Sequence, residues 1–309
     1  LRGNPYLSPE VGLKRGFDTI YYDDPIRFDW AMTKTLNKMR EMHQTGKNTF
    51  SFVHTTMVHV PYFPTKECYA PFAVAHKSKI IWDRETVLKS MGKDISKVNL
   101  ENPIDISLME AFLKNVDPKD PKEMEMLEAL YNGSIKCQDK QLEKFLTSIP
   151  DPNNTIIIIT ADHGESLGEH GLIQHGNLYQ TDTWVPLIIK VPLYNKLRIK
   201  APVRSIDILP SLLDYLKYQA PENIDGKSFI SLFETPNKTK HFDYAFSQRG
   251  DRYAVIKDQW KYVLINGREL LFNLQDDPQE STNLYGQYPD IAFELKNYLI
   301  NYQLRKDFK

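Results

Sequence analysis

Thr160–His175 reads TADHGESLGEHGLIQH and follows four consecutive isoleucines, Ile156–Ile159. The stretch gathers three of the chain's eight histidines with Asp162, Glu165 and Glu169. DPNN before it reads as a turn, and TIIIIT after that turn as the best strand in the sequence. Its apolar character is continuous rather than alternating, which predicts a strand buried on both faces, the habit of parallel sheets covered by helices. Val185–Val191 (VPLIIKV) reads as a second such strand. In open α/β sheets ligands collect where strands end, because loops there bring several side chains together.

Asp162 and His163 stand two and three residues past the last isoleucine, and Gly164 allows a sharp turn after them. A carboxylate beside an imidazole offers one hard oxygen and one borderline nitrogen, a pair that suits Mg, Mn or Zn better than Ca. Two donors do not complete a metal site, so others must join them. The blander reading makes Asp162 the cap of a helix beginning at Gly164 and His163 a surface residue. His59 raises the same choice, held in H-V-P-Y between an expected strand and Pro61. His54, at that strand's end, reads as a core or supporting residue.

Elsewhere the chain shows no repeat or low-complexity segment. Phe28–Gln44 reads as a helix, Thr49–His54 (TFSFVH) as a buried strand, and 65–117 as polar and irregular with one helix around Ile106–Asn115. Pro121–Ile149 is one long amphipathic helix or two in series near Gly133. Ser205–Leu216 reads as a helix entered through Asp207, with Pro210 in its first turn. After about Lys240 come short β runs separated by RGD, DQ and NGR turns, closed by a helix from about Pro289 to Leu304. The expected organisation is therefore a large α/β portion over 1–240 and a small α+β portion over 241–309.

With 309 residues, 41% of them hydrophobic and 12% aromatic, the chain has ample material for a core. Lys and Arg number 39 against 40 Asp and Glu, a net charge of −1 with no basic stripe, which argues against nucleic acid as a partner. The longest apolar runs fall far short of the ~20 residues that span a bilayer. The chain opens on Leu1 rather than Met, which suggests a processed, excised or partial chain and leaves the compartment unknown. Sequons at Asn132, Asn153 and Asn237 fix no compartment either. Cys68 and Cys137 cannot make a disulfide framework, and neither sits in a metal-binding spacing.

T-A-D-H-G-E-S-L-G-E-H-G, followed by Q-H-G-N-L-Y and W-V-P-L-I-I, closely resembles the sulfatase branch of the alkaline-phosphatase superfamily. F-V-H-T-T-M-V-H-V-P-Y-F-P, S-I-D-I-L-P-S-L-L-D, W-K-Y at 260–262 and L-F-N-L-Q-D-D-P-Q-E-S-T-N-L at 271–284 extend the resemblance, in family order, over nearly the whole chain. The resemblance implies an alkaline-phosphatase-like α/β fold: a large, mixed or mostly parallel sheet flanked by helices, with a small C-terminal antiparallel sheet and terminal helix. It implies metal-dependent hydrolysis of sulfate esters, or of phosphate or phosphonate esters, with a small molecule or glycan as substrate. By motif, Asp162 and His163 would bind the single divalent metal (Ca, Mg, Mn or Zn). His59, in the family's H-x-P, would contact the ester and donate a proton to the leaving oxygen. His175 would hold the sulfate or phosphate oxygens, His170 would support substrate binding, and Glu165 and Glu169 would orient ligands.

The family's two further metal-binding aspartates and its nucleophile motif, C/S/T-x-P-x-R, are not found. Asp23–Asp24 falls in the wrong place in family order and reads as a turn before Pro25, while Cys68 and Cys137 lack the proline and arginine that should follow. The expectation is that the chain begins downstream of the nucleophile segment, which could carry a formylglycine and act as a partner. The chain alone would then hold part of an active site, with weak activity or none. The alternative is a non-catalytic metal- or anion-binding module of the same fold. Trp82, Arg84, Lys89 and Lys93 are candidates for a substrate cleft, or equally for a solvated charged loop.

Overall fold

A computed structural model of the chain describes residues 15–21, 28–75, 89, 106–114, 116–192, 194 and 196–307. In chain order the helices are α1 (Phe28–Gln44), α2 (Lys66–Tyr69), α3 (Ile106–Leu113), α4 (Pro121–Thr147), α5 (Gln180–Thr183), α6 (Ile208–Tyr215) and α7 (Pro289–Asp307). The strands are β1 (Ile157–Thr160), β2 (Ser166–Leu167), β3 (Ile173–Gln174), β4 (Leu187–Lys190), β5 (Ala245–Arg249), β6 (Arg252–Lys257), β7 (Trp260–Ile265) and β8 (Arg268–Asn273). Two units share these elements: Leu1–Thr155 with Leu167–Gln174, and Ile156–Ser166 with His175–Lys309. Among the described residues, no helix is long and apolar enough to cross a membrane.

The first unit is organised by α4. The Asp120 carboxylate accepts the Lys122 amide at 3.0 Å, and Pro121 takes the first helical position, where a missing N–H leaves nothing unpaired. The helix runs unbroken through Gly133, so one long helix holds and two in series do not. Met126, Leu127, Leu130, Ser134 and Cys137 form its buried stripe at helical spacing. That stripe meets Val60, Tyr62, Tyr69, Phe112 and Val116, with the Tyr62 ring edge-on to Phe112 at 6.2 Å and to Tyr131 at 5.4 Å. Leu127 and Leu130 are fully buried, each contributing about 1.5–3 kcal/mol.

Cys68 and Cys137 form a disulfide that ties α2 to α4 across 69 residues of sequence. Spacing gave no hint of it, because the helix brings the two Cα atoms to 5.4 Å only once folded. Replacing both cysteines with serine is expected to cost the first unit about 2–4 kcal/mol, since a long loop is released in the unfolded chain. Urea titrations with and without reductant check this: reductant should lower the wild-type midpoint and leave the double variant unmoved.

Among the described residues one expected strand is absent. Thr49–His54 forms no β ladder, and Phe50 and Phe52 are 68% and 55% exposed. A strand exists through its hydrogen-bonded neighbours, which apolar content alone does not supply. Asp23–Asp24, Trp82, Arg84 and Lys93 lie outside the described residues, and Lys89 is exposed.

In the second unit β1 and β4 pair antiparallel, from Ile157 opposite Lys190 to Thr160 opposite Leu187. The expectation of strands covered on both faces is corrected here: the β1 isoleucines are half-buried and Ile188 of β4 is 60% exposed. Continuous apolar sequence records what a strand tolerates, whereas its burial depends on which elements cover it. The β5–β8 meander is antiparallel throughout, as its turn signals predict. Asn266 and Gly267 have φ of 51° and 75°, the left-handed pair that a tight two-residue hairpin needs. Val255, Tyr262 and Leu271 cover α7 through Ala292, Leu295 and Leu299, while Ala254, Val263, Leu270 and Phe272 on the opposite face pack with Leu178.

Candidate functional site

The loop after β1 leaves the strand at Thr160 and does not begin a helix, so the reading of Asp162 as a helix cap fails. The Asp162 Oδ1 accepts the adjacent His163 amide at 3.1 Å, and its side chain is 65% exposed. His163 Nδ1 lies 2.9 Å from the Gly164 carbonyl oxygen. A carbonyl only accepts, so Nδ1 carries a proton, and in the neutral ring Nε2 is the nitrogen with the lone pair. That Nε2 sits 3.7 Å from Asp162 Oδ2.

Gly164 is required by close approach. Its amide donates to the Asp182 carbonyl at 2.8 Å, and a Cβ there would lie 2.0 Å from the Thr181 carbonyl oxygen. Glu165 is nearly buried at 4% exposure, and its Oε1 accepts from His175 Nδ1 at 3.0 Å. This commits Nδ1 of His175 to the Glu165 carboxylate. The imidazoles of His163 and His175 stack at 3.9 Å between centroids, 27° apart. Asp162, His163, Glu165 and His175 thus come together within the second unit.

His59 and His170 lie in the first unit. His59 is half-buried, with Nδ1 donating to the Val60 carbonyl at 2.5 Å and its amide to the Thr56 carbonyl at 3.0 Å. His170 is exposed in the turn Glu169–Gly171 with φ 57°. Glu169 accepts the Leu167 amide at 2.6 Å, so it braces its own turn.

Sequence reasoning passed over three residues. Asp182 Oδ2 accepts the amides of Gly176 at 2.5 Å and Asn177 at 2.6 Å, and its Oδ1 accepts from Ser166 Oγ at 3.3 Å. Arg249 donates to the His175 carbonyl at 2.8 Å, and Arg252 to the Gly176 carbonyl at 2.6 Å. Gly176, at φ 107°, makes this turn possible, because that left-handed conformation favours glycine. RGD at 249–251 reads in the sequence only as a hairpin turn, and contacts to backbone atoms leave no residue pattern to find.

Comparison with solved structures defines the class. The chain superposes on BT4656 in complex with its substrate D-glucosamine-2-N,6-O-disulfate with a TM-score of 0.68 and 20% identity, over 91% of this chain and 70% of that one. The phosphonate monoester hydrolase of Agrobacterium radiobacter gives 0.59 and 18%, over 89% and 60%. The fold is therefore the alkaline-phosphatase-like α/β fold, with its small antiparallel sheet and terminal helix. Residues 13–218 match the sulfatase family, and residues 168–305 match the C-terminal region of N-sulphoglucosamine sulphohydrolase. The chain belongs to the sulfatase family.

An arylsulfatase of Clostridium perfringens is 32% identical over 176 residues, covering 53% of this chain and 37% of that protein. Arylsulfatase K of Bos taurus is 26% identical over 309 aligned residues, covering 90% and 56%. The chain spans roughly a third to a little over half of the length of these curated relatives.

Proposed function

We propose that this chain carries the metal- and anion-binding part of a sulfate-ester hydrolase, with Asp162 and His163 on one divalent ion and His175 on the ester's anionic oxygens. The 3.9 Å stack of His175 on His163 supports this most directly, because it sets an anion-binding ring beside a metal-binding one. The donor set fits a divalent cation such as Mg, Mn, Zn or Ca: a carboxylate oxygen and an imidazole nitrogen, 3.7 Å apart at a strand end. An ion takes at least four ligands, so more must come from beyond this pair. When bound, it would supply positive charge for the ester's oxygens.

Glu165 holds His175 by its Nδ1 and thereby aims Nε2. His59 is assigned proton donation to the leaving oxygen, and His170 substrate support, from their places in the motifs. Cys68 and Cys137 are bonded to each other, so neither serves as the nucleophile or its formylglycine precursor in this state. Ester hydrolysis is accordingly proposed for the whole protein, and the match to N-sulphoglucosamine sulphohydrolases supports a sulfated sugar as substrate class.

Metal analysis and calorimetric titration with inorganic sulfate test the assignment. Asp162→Ala is expected to bind the divalent ion at least about tenfold more weakly. Equal metal affinity in both proteins would remove Asp162 from the site. Competition by inorganic phosphate distinguishes sulfate from phosphate ester chemistry.

A further inference from the structure

Residues 175–177 are gripped from both sides. Their carbonyls at His175 and Gly176 accept from Arg249 and Arg252, while the amides of Gly176 and Asn177 converge on one oxygen of Asp182. Asp182 is 3% exposed and lies in the short helix α5. It also reaches the metal-side loop twice, through its carbonyl to the Gly164 amide at 2.8 Å and through Oδ1 to Ser166 Oγ at 3.3 Å. Gly164 and Ser166 alternate with His163 and Glu165, both of which touch the His175 ring. One buried carboxylate therefore ties together the two segments whose side chains make the candidate site. Short bonds from amides to an ionised carboxylate are among the stronger hydrogen bonds available in a protein.

We propose that Asp182 is a positioning residue that fixes the His175 ring against His163 and Glu165, acting through the Gly176 and Asn177 amides. The inference rests on the reading above only for what His175 binds, an oxyanion such as sulfate. The geometric part stands by itself. Asparagine at 182 keeps one acceptor oxygen for both amides and offers its NH2 to Ser166 Oγ, which can accept. Alanine leaves the buried Gly176 amide and the half-buried Asn177 amide without this acceptor, and the turn at Gly176 loses the contact that sets its direction.

The test uses the full 309-residue chain. Histidine Cε1–H signals are followed by NMR, with His175 and His163 assigned through His175→Gln and His163→Gln, and inorganic sulfate is titrated in parallel. Asp182→Ala is expected to move the His175 signal, which loses the ring-current shift of its stacked neighbour, and to weaken sulfate binding roughly 10- to 100-fold. Asp182→Asn should keep the signal in place and the affinity near wild type. In a His175→Ala background, Asp182→Ala should weaken sulfate no further, because the two act as one unit.

A folded Asp182→Ala chain with an unmoved His175 signal overturns the proposal. So does an asparagine variant as damaged as alanine, which would assign the effect to charge rather than to hold. If the alanine chain does not fold, Asp182→Ser, too short to reach either amide, takes its place under the same criteria. If the wild type does not bind sulfate, the anion-site reading falls, and the position of the His175 signal still decides the role of Asp182.

Discussion

Replacing Lys261 with methionine is expected to lower the stability of the second unit by about 3–5 kcal/mol. Lys261 sits in β7 beside Tyr262 and Val263, all three fully buried. Alternation along the strand sends Tyr262 to the α7 face and Lys261 to the opposite one. Its ammonium lies 2.7 Å from Glu280 Oε1, and the two side chains are 0% and 1% exposed. The two groups face each other as a buried ion pair. Burial pushes the Lys261 ammonium below the usual lysine range, while the carboxylates of Glu280 and Asp182 act against that. Methionine matches the stem and removes the charge, which strands the Glu280 carboxylate in a dry site.

The complementary change isolates the cause. Glu280 Oε2 also accepts the Gln180 amide at 2.5 Å, a bond that glutamine at 280 can keep. Lys261→Met with Glu280→Gln should therefore recover more than half of the loss, because no buried charge remains. Urea unfolding followed by Trp260 fluorescence, next to the substitution, measures both. A loss below about 1 kcal/mol for the single variant would show that the pair does not hold this charge in a dry site.

Lys261 also illustrates what sequence could and could not give. W-K-Y was recognisable as a motif, and the four β5–β8 strands were legible because tight turns punctuate them and each alternates toward α7. Nothing in the residues announced that the lysine between two aromatics points into the interior, since its partner Glu280 arrives from a loop 19 residues away. Long helices were legible for a similar reason: α1 and α4 carry their own periodicity, and α4 its own cap at Asp120. Thr49–His54 was not, because a strand's identity resides in its neighbours.

The candidate site divides along the same line. Asp162, His163, Glu165 and His175 share one stretch of sequence, and their chemistry is visible in their side chains. Asp182, Arg249 and Arg252 act on backbone atoms of residues 175–177, which any sequence supplies. The C-terminal hairpin therefore contributes to the site through its arginines without presenting a motif. A further signal was available in hindsight: an aspartate in Q-T-D-T, among residues of low helix propensity, makes sense only if its carboxylate is in use.

Substituting Asp207 by asparagine is expected to cost roughly 3 kcal/mol at neutral pH, and the cost should shrink as the solution is acidified. Asp207 is fully buried at the entry to α6, where the sequence placed it. Its carboxylate accepts from Arg204 Nε at 3.1 Å, Arg204 Nη2 at 2.8 Å, the Arg204 amide at 2.9 Å and the Lys227 amide at 2.9 Å. Arg204 reaches on to the Tyr244 carbonyl at 3.1 Å, so the carboxylate joins the α6 entry to the start of the C-terminal sheet.

Burial acts to raise the Asp207 carboxyl, but the Arg204 hydrogen bond, the two amides and the Arg204 charge together hold it below the usual carboxylate range. A carboxyl lowered by folding stabilises fully above its unfolded value, about 3.9, and that contribution is lost as pH falls through the folded value. The asparagine variant has no such proton to take up. The difference between wild type and variant should thus contract as pH falls below about pH 4. Urea midpoints at a series of pH values decide it. A difference of the same size at pH 3 as at pH 7 would mean that the carboxyl is not held down by its partners, and that Arg204 draws its stability from Tyr244 instead.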